Sequence, residues 1–305
     1  MNWLCSFGII CTMSKNKFVV LLYYNYVQID EPERLKRDQE ELCRRLNLKC
    51  RIIVASEGIN GTLEGLEADT EEYIRFMMKD SRFKNMHFKK SLGTGNAFPK
   101  ISIKLRPELV AGHLGKDDIN PNQITGKYLH PEELNRWFKE NKKFYIVDMR
   151  NDYETTVGYF KDSILPSLRN FRDLPEILPK LKSLKNETVL TVCTGGVRCE
   201  KASGYLVKKG FKDVYQLNGG IVSYMEKYPN EDFLGKLYVF DGRVTMGFNL
   251  DSPEHKVVGK CEDCFKTADK YIDCANLHCT NKRHFISCDE CFKKNKGYCK
   301  NCFNN

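Results

Sequence analysis

An apolar run, Val189-Leu190-Thr191-Val192, delivers Cys193 into the turn Thr194-Gly195-Gly196-Val197, and Arg198, Cys199, Glu200 and Lys201 then open a helical pattern. A thiol so placed is built to react. The N–H groups of such a turn, the positive end of the following helix and the guanidinium of Arg198 all favour negative charge on sulfur, lowering its pKa below the free value of about 8.5. The competing reading is a buried cysteine that only terminates a core strand. Two glycines and an arginine in the next five positions favour chemistry, since that composition makes an anion-holding loop. Four residues separate Cys193 from Arg198, one fewer than in the Cys-x5-Arg loops that cradle a tetrahedral phosphate, so the shorter loop suits sulfur. Cys199 falls in the first helical turn, where the dipole also favours a thiolate. It either resolves an oxidised Cys193, helps bind the substrate, or is a small residue packed on the sheet. Arg198 alternatively satisfies loop carbonyls or pairs with Glu200. Asp148 and Arg150 read as residues that fix geometry.

Two sets of elements must hold this loop. After it, Gly210 ends the helix, Val214 to Leu217 forms a strand, and Ile221 to Tyr228 a further helix. Before it come a helix from Pro131 through Trp137 and Phe138 and a strand near Phe144. Strands alternating with helices imply a parallel sheet covered on both faces, with the loop at its carboxyl edge. Further upstream the pattern differs. Phe18 to Tyr26 reads as a strand, then a helix carries Leu35, Leu42 and Leu46 and is closed by Asn47. Cys50 to Ala55 is a strand, and Glu57-Gly58-Ile59-Asn60-Gly61-Thr62-Leu63 turns into a third. A helix over Thr70 to Lys79 precedes strands near Met86 to Lys89 and Ile101 to Leu105. The order β-α-β-β-α-β is that of a ferredoxin-like sandwich, with Cys43 and Cys50 in its core. The expected division is therefore a start-site extension over 1–13, with Met13 as the true first residue, a ferredoxin-like domain over 14–110, and a polar linker over 111–126. An α/β domain over 127–235 and a small cysteine-rich module over 236–305 complete it.

That module carries Cys261-x2-Cys264, Cys274 and Cys279, Cys288-x2-Cys291 and Cys299-x2-Cys302, with His278 and His284 nearby. Thiolates two residues apart on a turn can share one tetrahedral zinc, so eight of them suit two structural sites. A segment this small lacks the core to fold alone, which gives a metal its purpose. Free thiols or redox pairs are the alternative, and which cysteines share an ion is open.

Of the 305 residues, 49 are Lys or Arg and 40 are Asp or Glu, a net charge of +9 that suits an anionic partner. From Lys79 to Arg106 eight basic residues face only Asp80, with Phe83, Phe88 and Phe98 interleaved, a composition for phosphate neutralisation and base stacking. Lys282, Arg283, Lys293, Lys294 and Lys296 give the carboxy-terminal module a similar character. A solvated basic face explains either cluster equally well. No segment reaches the roughly 20 apolar residues that span a bilayer, and Met1 to Cys11 lacks the marks of a secretory signal. Cysteine usage indicates a reducing, cytoplasmic setting.

The cysteine loop, together with Phe144-Tyr145-Ile146-Val147-Asp148-Met149-Arg150, Tyr153-Glu154 and Gly158-Tyr159-Phe160, resembles the rhodanese family over about 125 to 235. With Glu57-Gly58-Ile59-Asn60-Gly61-Thr62 and the cysteine-rich tail included, nearly the whole chain is similar to the rhodanese-domain tRNA uridine(34) hydroxylases. The resemblance implies oxygen-dependent conversion of uridine 34 in the tRNA anticodon loop to 5-hydroxyuridine, with Cys193 as the loop cysteine. A thiolate at Cys193 that adds to C6 of uracil would let C5 react with dioxygen without a flavin or nicotinamide. A persulfide on Cys193 is the other candidate species. Two further readings stand beside it: a sulfurtransferase that carries a persulfide, and a noncatalytic RNA-binding protein. No membrane and no obligate protein partner are expected.

Overall fold

The computed structural model describes residues 17–279 and 284–304. The expected start-site extension, and Lys282 and Arg283, lie outside the described residues. β1 (Phe18–Tyr26) is a run of β-branched and aromatic residues whose side chains alternate between faces. Val19, Leu21 and Tyr23 are buried against α1 (Pro32–Arg45) and α2 (Glu67–Lys79), while Val20, Leu22 and Tyr24 turn the other way. α1 opens on Pro32, sends Leu35, Leu42 and Cys43 inward at i, i+7 and i+8, and gives way to Asn47 at φ +48°. β2 (Lys49–Ala55), β3 (Gly58–Leu66), β4 (Lys89–Leu92) and β5 (Ile101–Leu105) complete a sheet of order β4-β1-β3-β2-β5. The ferredoxin-like set gains a fifth strand, because Ile101–Leu105 adds in parallel beyond β2 instead of closing the antiparallel set. Both helices cover one face, so the other is bare. Phe83 and Phe98 are buried and Phe88 packs on the core, which removes them as base-stacking platforms. Burial of these rings stabilises the sandwich instead.

The second sheet is wholly parallel, in the order β6-β10-β9-β7. Its elements run β6 (Lys127–Leu129), α3 (Pro131–Lys139), β7 (Tyr145–Asp148), α4 (Asp152–Thr155), β8 (Gly158–Phe160), α5 (Leu174–Ile177), β9 (Thr188–Val192), α6 (Val197–Lys208), β10 (Asp213–Leu217) and α7 (Gly220–Lys227). β9 reads as a continuous apolar run because both its faces are covered. Val189 joins the core beneath α6, and Leu190 and Val192 join the one beneath α3 and α7. The polar segment read as a linker is docked. Leu114 and Ile119 are buried in the α6 core, and Asp117 and Asp118 pair with Lys209 (2.7 Å) and Lys201 (3.1 Å).

Beyond residue 232, a strand at Phe233–Gly235 pairs with β8, and the chain then returns to the first sheet. Arg243 donates to Ser91 Oγ and to the Leu92 carbonyl, both at 2.8 Å, and Arg51 donates to the Phe240 carbonyl at 3.1 Å. At the end of the chain the apolar core is meagre: Cys279, Phe285 and Cys299, with Ile272, Cys274 and Cys302 against them. Here cysteines are themselves the interior.

Candidate active site

The Cys193 loop leaves β9 and is clamped between the bare face of the first sheet and the start of α7. Gly196 sits at φ +100°, a left-handed conformation, and a Cβ there would stand 2.8 Å from Tyr24 Oη. Gly220, at φ +72°, passes the loop so closely that a Cβ would lie 2.6 Å from the Gly196 nitrogen. The amides of Ile221 and Val222 donate to the carbonyls of Cys193 (2.9 Å) and Thr194 (3.1 Å). With those carbonyls satisfied, Arg198 is free for another partner. It is Glu154, not Glu200: the fully buried carboxylate takes Nη1 at 2.5 Å and Nη2 at 2.8 Å. Glu154 is placed by the turn after β7, where a buried Asp148–Arg150 pair at 2.7 Å also ties Arg150 to the Gly158 carbonyl at 2.8 Å. Asp148 and Arg150 thus fix geometry one step behind the loop.

Cys193 Sγ accepts from the Gly196 amide at 3.2 Å, and the amides of Arg198 and Cys199 also bear on it. Burial pushes this thiol up. The hydrogen bond from Cys199, the charge of Arg198 and the amides outweigh burial and draw its pKa down to about 6. Cys199 goes the other way: burial and the neighbouring Cys193 raise it well above the ordinary thiol range. The helix dipole does not make Cys199 a thiolate; it is the protonated donor of the pair. Thr194, Gly195 and Val197 line the cavity together with Cys193 and Arg198.

Two successive residues of α6 lock the loop to its surroundings. Glu200 accepts from Tyr24 (2.9 Å), Tyr128 (3.0 Å) and Gln216 (3.0 Å). Lys201, with no exposed side-chain surface, pairs with Glu57 (2.9 Å) and Asp118 (3.1 Å). Beside them Lys89 is buried with its ammonium 4.8 Å from the centre of the Tyr24 ring. Burial lowers it to about 8, opposed by the negative charges of Cys193 and Glu200. Nothing in the sequence pattern marked Glu154 or Lys89 as partners of the loop; only the resemblance drew attention to Tyr153-Glu154.

Between the loop and the bare sheet face lies a cavity of about 410 Å³. Cys193 is at its floor with no solvent-exposed surface, Leu22, Arg51, Asn60 and Thr62 form the sheet wall, and Phe240 closes a side. Cavities of this size hold small molecules or a single nucleotide.

The eight carboxy-terminal cysteines fall into two groups of four: Cys261, Cys264, Cys288 and Cys291, and Cys274, Cys279, Cys299 and Cys302. First pair joins third and second joins fourth, an interleaved brace. Within each group all sulfurs lie within 4.8 Å of one another, and Cys264–Cys288 and Cys279–Cys299 are 3.7 Å apart. Four sulfurs at about 2.3 Å from a tetrahedral zinc are roughly 3.8 Å apart, whereas a disulfide needs about 2 Å. The clusters therefore fit a metal and not a bridge. His278 and His284 join neither group; His284 instead meets Tyr238 and Asp273.

Comparison with known proteins matches three stretches of the chain. Residues 18–109 match the family model described as a UPF0176 acylphosphatase like domain, 130–227 a rhodanese-like domain, and 234–303 a rhodanase C-terminal region. A protein of Bacillus licheniformis named tRNA uridine(34) hydroxylase is 45% identical over 90% of this chain and 84% of its own. One of the same name from Cytophaga hutchinsonii is 40% identical over 92% of this chain and 88% of its own. Among solved structures, a rhodanese-like domain protein from Staphylococcus aureus is 34% identical, spans 32% of this chain and 90% of that one, and gives a TM-score of 0.28. By identity and by coverage of both partners, the chain belongs to the tRNA uridine(34) hydroxylase family.

Proposed function

We propose that this protein hydroxylates uridine at anticodon position 34 of tRNA to 5-hydroxyuridine, with molecular oxygen as co-substrate and Cys193 as the nucleophile. The observation that carries the reading is a low-pKa thiol at the floor of a cavity able to receive one extruded nucleotide. An anticodon-loop base is unpaired, so splaying it into the cavity costs little.

Attack of the Cys193 thiolate on C6 of uracil forms a C–S bond and moves the ring's electron pair to C5 as an enolate. C5 adds dioxygen and, with a proton, becomes a hydroperoxide. A pair of thiols then supplies two electrons and two protons, leaving as a disulfide, and the hydroperoxide becomes the C5 alcohol plus water. Loss of the C5 proton expels the Cys193 sulfur and restores the C5–C6 double bond. Arg198 and the loop amides stabilise the sulfur's charge before attack and on departure. The proton taken up at the hydroperoxide equals the one lost from C5, and Cys199, protonated beside it, stabilises the departing thiolate through its hydrogen bond.

Zinc is the metal we assign to the two cysteine clusters, whose thiolates would hold it as a structural staple. Free thiols and a tRNA substrate put the work in a cytoplasmic setting; among the described residues no helix is long and apolar enough to cross a membrane. The test is nucleoside mass spectrometry of tRNA from cells carrying Cys193→Ala in place of the native chain. Loss of a nucleoside one oxygen heavier than uridine at position 34 is expected. Unchanged modification refutes the nucleophile, and a sulfur-bearing product would indicate persulfide transfer instead.

A further inference from the structure

The segment Gly58-Ile59-Asn60-Gly61-Thr62 takes no part in the loop or the cysteine clusters, yet its Asn60, Gly61 and Thr62 line the cavity together with Cys193. Alternation along β3 explains why. Ile59 and Leu63 are fully buried in the core under the helices, so Asn60 and Thr62 emerge on the bare face. Gly61 lies between them because a Cβ there would stand 2.5 Å from the Tyr23 ring.

Two polar side chains on this wall are open to a ligand. Asn60 Nδ2 donates to the Leu109 carbonyl at 3.3 Å, which fixes the amide. Among the described residues, no hydrogen bond is seen to Asn60 Oδ1 or from the Thr62 hydroxyl. On the opposite wall Asn151 donates through Nδ2 to Tyr153 at 3.1 Å, and its side chain caps the turn that carries Glu154. At the mouth, Arg51, which also donates to the Phe240 carbonyl, and Arg172 carry guanidinium groups that form no ion pair among the described residues. The chamber therefore offers acceptors inside and positive charge at its rim. A pyrimidine nucleotide that complements it presents a ring N–H inward and its phosphates outward. Uracil has such a group at N3; cytosine has a lone pair there, which would face the Asn60 oxygen as a second acceptor.

We propose that Asn60 is the base-reading residue of this site, its Oδ1 accepting N3–H of uracil, with the Thr62 hydroxyl donating to the adjacent carbonyl oxygen and Arg51 and Arg172 holding the flanking phosphates. The assignment rests on the tRNA reading above and adds to it the reason for choosing uridine over cytidine. A buried acceptor left facing another acceptor loses on the order of tenfold or more in affinity.

Binding of the full-length protein to anticodon stem-loop RNAs carrying uridine, cytidine or N3-methyluridine at position 34 tests it, with alkylation of Cys193 as a check on the loop. The native protein should favour uridine about tenfold over both analogues. Asn60→Leu should bind uridine and cytidine hairpins equally while its Cys193 alkylates at the native rate, and Thr62→Val should weaken uridine binding by a smaller factor. Asn60→Leu that keeps the full preference overturns the assignment, as does a native protein that binds N3-methyluridine as well as uridine. A native protein that neither binds nor hydroxylates any hairpin overturns the parent reading along with it.

Discussion

Removing one sulfur-bound proton donor tests whether the loop sets the chemistry. Cys199 donates to Cys193, and after burial its hydrogen bond is the largest influence on that thiol. In Cys199→Ala the donor is gone, while Arg198 and the amides remain. A hydrogen bond to a charged group contributes about 1.5–3 kcal/mol, which is one to two pKa units. The Cys193 pKa, about 6 in the native protein, should therefore rise by one to two units. At pH 7 the thiolate fraction would fall from about nine-tenths to between about a half and a tenth. Cys199→Ser keeps a donor at the same place and should titrate like the native chain. The assay is the pH dependence of iodoacetamide incorporation, quantified by mass spectrometry on the peptide containing residue 193. The sign is fixed: reactivity falls as pH drops through the folded pKa, and the alanine variant must lose it at higher pH. An alanine variant whose inflection stays near that of the native protein would mean that Cys199 only fills space.

Other consequences follow from the same geometry. Lys89→Met should raise the Cys193 inflection by less than Cys199→Ala does, and Lys89→Arg should restore it, because a cation beneath the loop favours the thiolate; identical profiles for all three proteins would remove Lys89 from the electrostatics. Glu154→Gln leaves the Arg198 charge buried without its counter-ion, so thermal or urea denaturation should show a loss of about 3 kcal/mol. The same change should lower the Cys193 inflection, since Arg198 is no longer neutralised, and an unchanged or raised inflection would contradict the pairing. Purified protein should contain two zinc ions, one per cluster, by elemental analysis. Cys264→Ser should release more than one of them, because each site's ligands are carried on the loops that close the other; loss of a single ion would show the sites to be independent.

What the sequence made legible was local. A cysteine followed by glycines and arginine can be read as an anion-holding loop because the required φ angles and donors lie within six residues of one another, and Gly196 takes the left-handed conformation, φ +100°, that such a turn needs. The partners of that loop could not be read this way. Glu154 is 44 residues before Arg198 and Lys89 lies on another sheet, so only the packing of the two units brings them together. The basic stretch misled for a related reason. Its composition is that of an RNA surface, but the pattern does not show that Phe83 and Phe98 are buried, which depends on the fold of the turn after α2 and of the β4–β5 connection, where Phe98 packs on Val20. In the carboxy-terminal module the cysteine pairs were evident from spacing, whereas their interleaved grouping depends on contacts across 20 or more residues, such as Cys299 N to Cys274 Sγ.

Bringing a bare sheet face onto a cysteine loop changes what the loop can do. An uncovered loop of this kind meets solvent and small diffusible anions, which suits sulfur transfer. Here β1 lies across it, so that Tyr24 limits Gly196, Glu200 and Lys201 fasten the helix behind it, and Cys193 is buried except toward the cavity it lines. The same contact leaves a chamber of about 410 Å³ whose far wall is polar strand and whose rim is arginine. In the proposed reaction, partial enclosure would strengthen the pull of Arg198 and the amides on the sulfur and shield a C5 enolate from protonation. On that proposal the first sheet is part of the reaction chamber, which is why Cys193 and Asn60 line one cavity.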